Sequence, residues 1–334
     1  MFYNSSKLMF TTTLILSTLL VLSSNNWLSV WMGLEINLIS FIPLMFKTKS
    51  VKPAESMMIY FLVQAMGSII LLMSILINSW SMLTPNLMSN TSACFIVASL
   101  ALKLGSAPFH FWIPEVMSKL DWPPCLILST WQKIAPLTVM SYMSDTTLML
   151  PMMAMLCTLV GAAGGLNQTS LRKIMAYSSI SHLGWMIACM SVENHLWMMY
   201  LIVYTMLVTM AMLMFKNMSA FYISQITMNS SVMEKFTFTT VMMSMGGLPP
   251  FLGFLPKWMV IQSLISKNML LIMIIMVLTT LITLFYYLRL ISVMPLISST
   301  TPKWTSKLQS MNKIMIMIIL LNLSTPLAAM INFF

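Results

Sequence analysis

Charge is what this sequence has least of. Only 7% of its 334 residues are Asp, Glu, Lys or Arg, against 59% hydrophobic, and the mean hydropathy is +0.89. So thin a polar supply excludes a water-soluble surface and leaves no stretch for a soluble domain of ordinary size. Histidine stops at three residues and cysteine at four. Cys94, Cys125, Cys157 and Cys189 are spaced by 31, 32 and 32 residues, each in a different apolar run with no C-x-x-C pair. They read as small buried hydrophobes, not as a metal site. The sequence contains no P-loop, no G-x-G-x-x-G after a strand and no H-E-x-x-H, so nucleotide, phosphate and zinc chemistry have no visible seat.

What the chain does hold is a succession of apolar runs near the 20 residues that cross a bilayer. Spans are expected at about 8–24, 27–46, 57–79, 93–114, 123–143, 148–166, 173–190, 195–215, 236–265, 268–291 and 312–333. The fold class is therefore all-α and polytopic, with 11 transmembrane helices in a single domain over residues 1–334. The first run follows Lys7 and lacks a small-residue cleavage site, so it is read as part of the mature chain.

Loop charges support this count. If the spans alternate, one side receives Lys7, Lys47, Lys49, Lys52, Lys119, Arg172, Lys173, Lys216, Lys235, Arg289, Lys303, Lys307 and Lys313, and the other only Lys267. A split of 13 to 1 puts the N-terminus on the positive-inside face and the C-terminus opposite. Glu55, Glu115, Asp121 and Glu234 share the basic side, and Asp145 and Glu193 lie on the other. Four charged residues then remain inside spans: Glu35, Lys103, Lys133 and Lys257.

Glu35, Lys103 and Lys133 lie about 8 to 11 residues into their spans, roughly 12 to 16 Å deep at 1.5 Å per residue. Inserting four such charges costs on the order of 10 to 14 kcal/mol before compensation. One structural ion pair would account for Glu35 and one lysine, but not for three lysines. A row of buried ammonium groups is a proton-relay candidate.

Each lysine lies near a proline: Pro108, Pro136 and Pro256, which would free the carbonyls of Leu104, Gln132 and Leu252. Freed carbonyls in hydrocarbon must face protein or water, so small hydrated pockets are expected beside the lysines. The strongest breaks fall in "LALKLGSAPFHFWIP" and "MSMGGLPPFLGFLPKW", the fourth and ninth spans. Spans five apart run in opposite directions, as two inverted five-helix repeats require: about 8–143 and 148–291, followed by a final helix at 312–333. His182, one turn after Ser178, and His110, seven residues after Lys103, join the candidate relay, whereas His195 reads as interfacial.

Five motifs, "MGLEINLISFIP", "LKLGSAPFHFWIPEV", "TWQKIAPL", "GGLNQTSLRKIMAYSSISHLGWM" and "GGLPPFLGFLPKW", together resemble the NADH dehydrogenase subunit 2 family, antiporter-like membrane subunits of respiratory complex I. The resemblance runs from about residue 4 to 295 with the motifs in family order, and the C-terminal stretch matches only as a hydrophobic span. The 41 methionines are also similar to mitochondrial translation products of animals, in which an isoleucine codon is read as methionine.

The resemblance implies an antiporter-like fold of inverted repeats with broken helices, in the animal form that lacks three leading helices. It places the family's functional glutamate on Glu35, its lysines on Lys103, Lys133 and Lys257, and its histidines on His110 and His182. It implies a component of a proton-translocating NADH:ubiquinone oxidoreductase in the mitochondrial inner membrane, N-terminus in the matrix and C-terminus in the intermembrane space. NADH, FMN, iron-sulfur clusters and ubiquinone would belong to partner subunits, with no cofactor on this chain. Partners would be neighbouring antiporter-like subunits, small chains covering the missing helices, and lipids, with no nucleic acid. In mechanism, Glu35 would tune Lys103, Lys133 and the histidines would pass protons between half-channels, and Lys257 would hand a proton toward the less basic side. Two alternatives stay open: a standalone cation/proton antiporter, and a non-conducting structural subunit.

Overall fold

Apolar runs without water to bond their backbones have one local solution, the helix, which satisfies every interior N–H and C=O within itself. The computed structural model describes residues 5–46, 51–81, 88–143, 149–193, 195–226 and 232–300, with Met317, Ile319, Asn322 and Leu323 beyond them. Apart from one isolated antiparallel bridge, Ser170 to Tyr222, the regular structure of these residues is helical. Among the described residues, five helices are long and apolar enough to cross a membrane: Ser5–Ser23, Trp27–Met45, Val51–Ser79, Leu196–Asn217 and Leu270–Ser292. Eleven spans were expected. The fourth, fifth and ninth are each split into two helices, and the last lies outside the described residues except for four positions.

The chain divides into two compact units, Met1–Met153 and Ala154–Phe334. In the first, α1 (Ser5–Ser23) packs on α2 (Trp27–Met45), and α3 (Val51–Ser81) on α4 (Met88–Leu104). Next come α5 (Trp112–Lys119), α6 (Trp122–Ser129) and α7 (Trp131–Ser141). The second unit takes in most of α8 (Met149–Gly165), then α9 (Leu171–Val192), α10 (Leu196–Asn217), α11 (Val232–Gly246), α12 (Phe254–Ser266) and α13 (Leu270–Thr300). Helices α8 and α9 approach closely: a Cβ on Gly161 would lie 2.7 Å from the Ser181 amide nitrogen, and one on Gly184 would lie 2.8 Å from the Ala154 carbonyl oxygen.

Two helix breaks have the same construction, and prolines do not make them. Helix α4 ends in a Schellman motif: Gly105 at φ +66° donates to the Leu102 carbonyl (3.2 Å), and Ser106 donates to Ala101 (3.0 Å). Helix α11 ends likewise, Gly247 at φ +81° donating to Ser244 (3.0 Å) and Leu248 to Met243 (3.4 Å). Only glycine enters this left-handed conformation without steric cost. Pro108 lies in the link after the first break, but Pro136 sits inside the continuous helix α7 and Pro256 in the first turn of α12, where no amide donor is needed. The fifth span is interrupted at Thr130, between α6 and α7, not at Pro136. The Leu252 carbonyl accepts the Leu255 amide at 3.3 Å, so Pro256 does not leave it bare.

Candidate functional site

The end of α4 shows how a membrane chain can stop a helix in mid-span. Its last carbonyls need donors, and beyond the Schellman amides two side chains supply them. Gln64 Nε2 on α3 donates to the Lys103 carbonyl (3.0 Å), and Trp112 Nε1 on α5 donates to that of Leu102 (3.2 Å). Lys103 thereby sits in the last turn of a helix whose C-terminal dipole favours a cation. Its stem lies against Gly67, where a Cβ would approach Lys103 Cγ to 3.0 Å.

Lys103 is 6% exposed, and its Nζ has no hydrogen-bond partner. The charge of Glu35, on α2, acts on it. Glu35 Oε1 is itself buried and without a partner, so the two groups interact across a gap, not as a closed ion pair.

Lys103 and Lys133 line one cavity of about 20 Å³ together with Asn37, Gln64, Gln132 and Tyr60. A water needs about 10 to 15 Å³ and two to four polar neighbours, so the space suits one water between the lysines. Gln132 Nε2 donates to Asn37 Oδ1 at 3.0 Å, closing one wall. The amides Asn37, Gln64 and Gln132 were missed from the sequence. They stand in apolar spans just as the lysines do, and the same question of what offsets their burial would have found them.

In the second unit, Lys257 rises from the first turn of α12 and donates through Nζ to the Gly246 carbonyl at 2.8 Å. This again places an ammonium at the C-terminal end of a half-helix, here α11. Gly247 leaves room for it, since a Cβ there would lie 2.9 Å from Lys257 Nζ. His182, 5% exposed on α9, pairs its Nδ1 with the Tyr200 hydroxyl at 2.8 Å. Lys257 and His182 line a second cavity of about 10 Å³ with Ser181, Thr279, Thr283 and Tyr287. That is at the lower limit of about 10 to 15 Å³ that one water needs.

His110 follows a different course. With the helix ended at Leu104, His110 no longer lies two turns along a common face from Lys103; its Nδ1 is 3.2 Å from the Pro108 carbonyl, and its ring packs on Phe111 at 4.1 Å. It lines neither of these cavities. His195 lies at the N-terminal boundary of α10. Among the described residues there is no group of three or more His, Cys, Asp or Glu placed to hold a metal, and none of the four cysteines forms a disulfide.

Residues 24–283 match a family model described as NADH:quinone oxidoreductase/Mrp antiporter, transmembrane. The chain is 44% identical to NADH-ubiquinone oxidoreductase chain 2 of Locusta migratoria over 325 residues, 97% of this chain and 95% of that one. It is 49% identical to the chain of the same name from Anopheles gambiae over 295 residues, 85% of this chain and 84% of that one. Among solved structures, a chain of respiratory complex I from Thermus thermophilus superposes with a TM-score of 0.82 at 20% identity, over 95% of this chain and 76% of that one. A chain of the Mrp complex from a Dietzia species gives 0.76 at 15% identity, over 85% and 60%. At such identities the two structures bear on the fold alone, and they agree on an antiporter-like one.

Proposed function

We propose, for a chain that belongs to the NADH-ubiquinone oxidoreductase chain 2 family, that the intramembrane charges of each unit form a proton relay built around one water-sized cavity. The chain is a multi-pass membrane-arm subunit of respiratory complex I with a part in proton translocation. Its site residues are Glu35, Lys103 and Lys133 in the first unit and His182 and Lys257 in the second, with His110 an accessory near the first helix break.

One observation carries this reading: Lys103 and Lys133 open onto the same cavity while Lys103 Nζ is buried without a hydrogen-bond partner. A buried ammonium with no bond to hold its protons can exchange one with a water. When Glu35 turns toward Lys103, the ammonium is favoured. When it turns away, Lys103 yields a proton through the cavity to Lys133. A carboxylate moving into or out of range changes a lysine's proton affinity by about tenfold or more. The cavity must hold its water for this path to conduct, and Gln132 and Asn37, bonded to each other, form one of its walls.

The finer architecture belongs to the same proposal. Two Schellman glycines, one ending α4 and one ending α11, support a pair of inverted repeats over about 8–143 and 148–291, and eleven spans in all with a final helix at 312–333. The loop charges support a basic side facing the matrix of a mitochondrial inner membrane. NADH, FMN, iron-sulfur clusters and ubiquinone are assigned to other subunits, and neighbouring antiporter-like subunits and lipid to the surroundings of this one.

Replacing Lys133 with methionine in the assembled complex tests the relay. NADH:ubiquinone turnover coupled to proton uptake should fall by about tenfold, within reach of one positioned proton carrier, while the complex still assembles. Normal pumping by the assembled variant would overturn the relay, and loss of assembly alone would point to a structural role.

A further inference from the structure

Four tyrosines of the second unit, Tyr200, Tyr204, Tyr286 and Tyr287, are at most 2% exposed in a chain that has nine in total. A phenol in hydrocarbon needs a partner for its hydroxyl, so four in one place call for a reason beyond packing. Tyr200 has its partner in His182. Tyr286 and Tyr287 differ: their rings meet at a tilt of 57° with 4.6 Å between centroids, and their hydroxyls sit beside each other and beside Ser181 and Ser178 of α9. Yet both oxygens are buried without a well-formed hydrogen bond. Ser178 and Ser181 already donate to the carbonyls of Met175 and Ser178, each at 2.8 Å, so their oxygens are left as acceptors.

The two phenols also have direction. Tyr287 lines the cavity of His182 and Lys257. Tyr286 packs at the end of α8, where a Cβ on Gly165 would lie 2.8 Å from its ring. Immediately beyond, Arg289 donates through Nη1 and Nη2 to the carbonyls of Leu166 and Gln168, holding the loop that leads to Arg172 and Lys173. The pair therefore reaches from the cavity to the end of α8, next to the loop that Arg289 holds.

We propose that Tyr287 and Tyr286 are proton-carrying residues of the second unit, passing protons between the cavity of His182 and Lys257 and the loop held by Arg289. The step needs no ionised tyrosine. As a proton arrives on one lone pair of the phenol oxygen, the phenol's own proton leaves toward the next acceptor, and rotation of the hydroxyl restores the starting state. Charge and atoms balance at each transfer. This inference rests on reading that cavity as part of a proton relay.

The test uses the intact complex carrying Tyr287→Phe, reconstituted in vesicles, with turnover and vesicle acidification followed in water and in deuterium oxide. Turnover should fall by about tenfold, less than the full value of a positioned carrier because a water can enter the space vacated. The solvent isotope effect should rise, which a packing defect would not produce. A Lys257→Met complex measured in parallel separates the two claims. Impaired Lys257→Met with normal Tyr287→Phe overturns the tyrosine path alone; both normal overturns the cavity reading as well. If Tyr287→Phe lowers assembly, Tyr286→Phe decides by the same two readouts.

Discussion

Glu35 and Lys103 interact through their charges without touching: Glu35 Oε1 and Lys103 Nζ are both buried, and neither has a hydrogen-bond partner. A closed ion pair would hold the proton on the lysine, and a distant one would leave no control. The intermediate arrangement leaves Lys103 responsive to a small movement of one side chain. Glu35→Gln removes the carboxylate while keeping shape, so NADH-driven pumping should fall by about tenfold with assembly unchanged. Membrane-potential formation by vesicles containing the variant complex measures this, and a normal rate would show that Lys103 works without Glu35.

Gly247 is predicted to tolerate no side chain. At φ +81° an L-residue is strained by about 1 to 2 kcal/mol, and a Cβ would lie 2.9 Å from Lys257 Nζ. Gly247→Ala should lower the thermal stability of the solubilised complex and, by moving Lys257, its turnover. Gly246→Ala is the control, because a Cβ there meets nothing nearer than 3.7 Å. Equal losses from both variants would count against the assigned role of the left-handed turn.

Gln64 should matter through its amide. Gln64→Leu leaves the buried Lys103 carbonyl without its 3.0 Å donor, at a cost of about 1 to 3 kcal/mol. A melting curve of the purified complex reads that loss, and Gln64→Glu, which as a carboxylate has no donor at all, should not restore stability.

Outside the membrane-spanning segments, Lys119 lies between Glu55 (3.1 Å) and Glu115 (3.3 Å), and these carboxylates, Glu55 foremost, raise its ammonium above the usual lysine range. A raised lysine contributes stability in full below its unfolded value and loses it only as pH climbs through the folded one. Glu55→Gln should therefore lower stability by the same small amount throughout neutral pH, the difference fading only at strongly alkaline pH. A stability difference that changes between about pH 6 and 8 would place a different group behind it.

How much of this was legible beforehand depends on the residue. Glu35, Lys103, Lys133 and Lys257 stood out because a charge in an apolar span is expensive anywhere in the sequence, whatever surrounds it. The helix breaks do fall near the lysines that the sequence singles out, but glycines, not prolines, make them. Pro136 and Pro256 looked decisive, whereas Gly105 and Gly247, inside "KLGSAP" and "GGLPP", hold the left-handed turns. A helix accepts a proline in its first turn or where the freed group finds a partner, and that acceptance depends on neighbours from other elements. His110 was expected beside Lys103 on the assumption of a continuous helix, and the turn at Gly105 removes the shared face.

By itself the sequence determined that this is an all-helical membrane chain with a few charges too costly to be incidental, because composition, apolar run length and loop charge depend only on local chemistry. Tertiary structure alone decided which of those charges share a cavity, that Asn37, Gln64 and Gln132 complete the first of them, and that Lys257 caps the carbonyl of Gly246. Those pairings join residues up to 95 positions apart. In a bilayer, a freed carbonyl or a buried ammonium can be satisfied by any helix that packs against it, and only the packing says which.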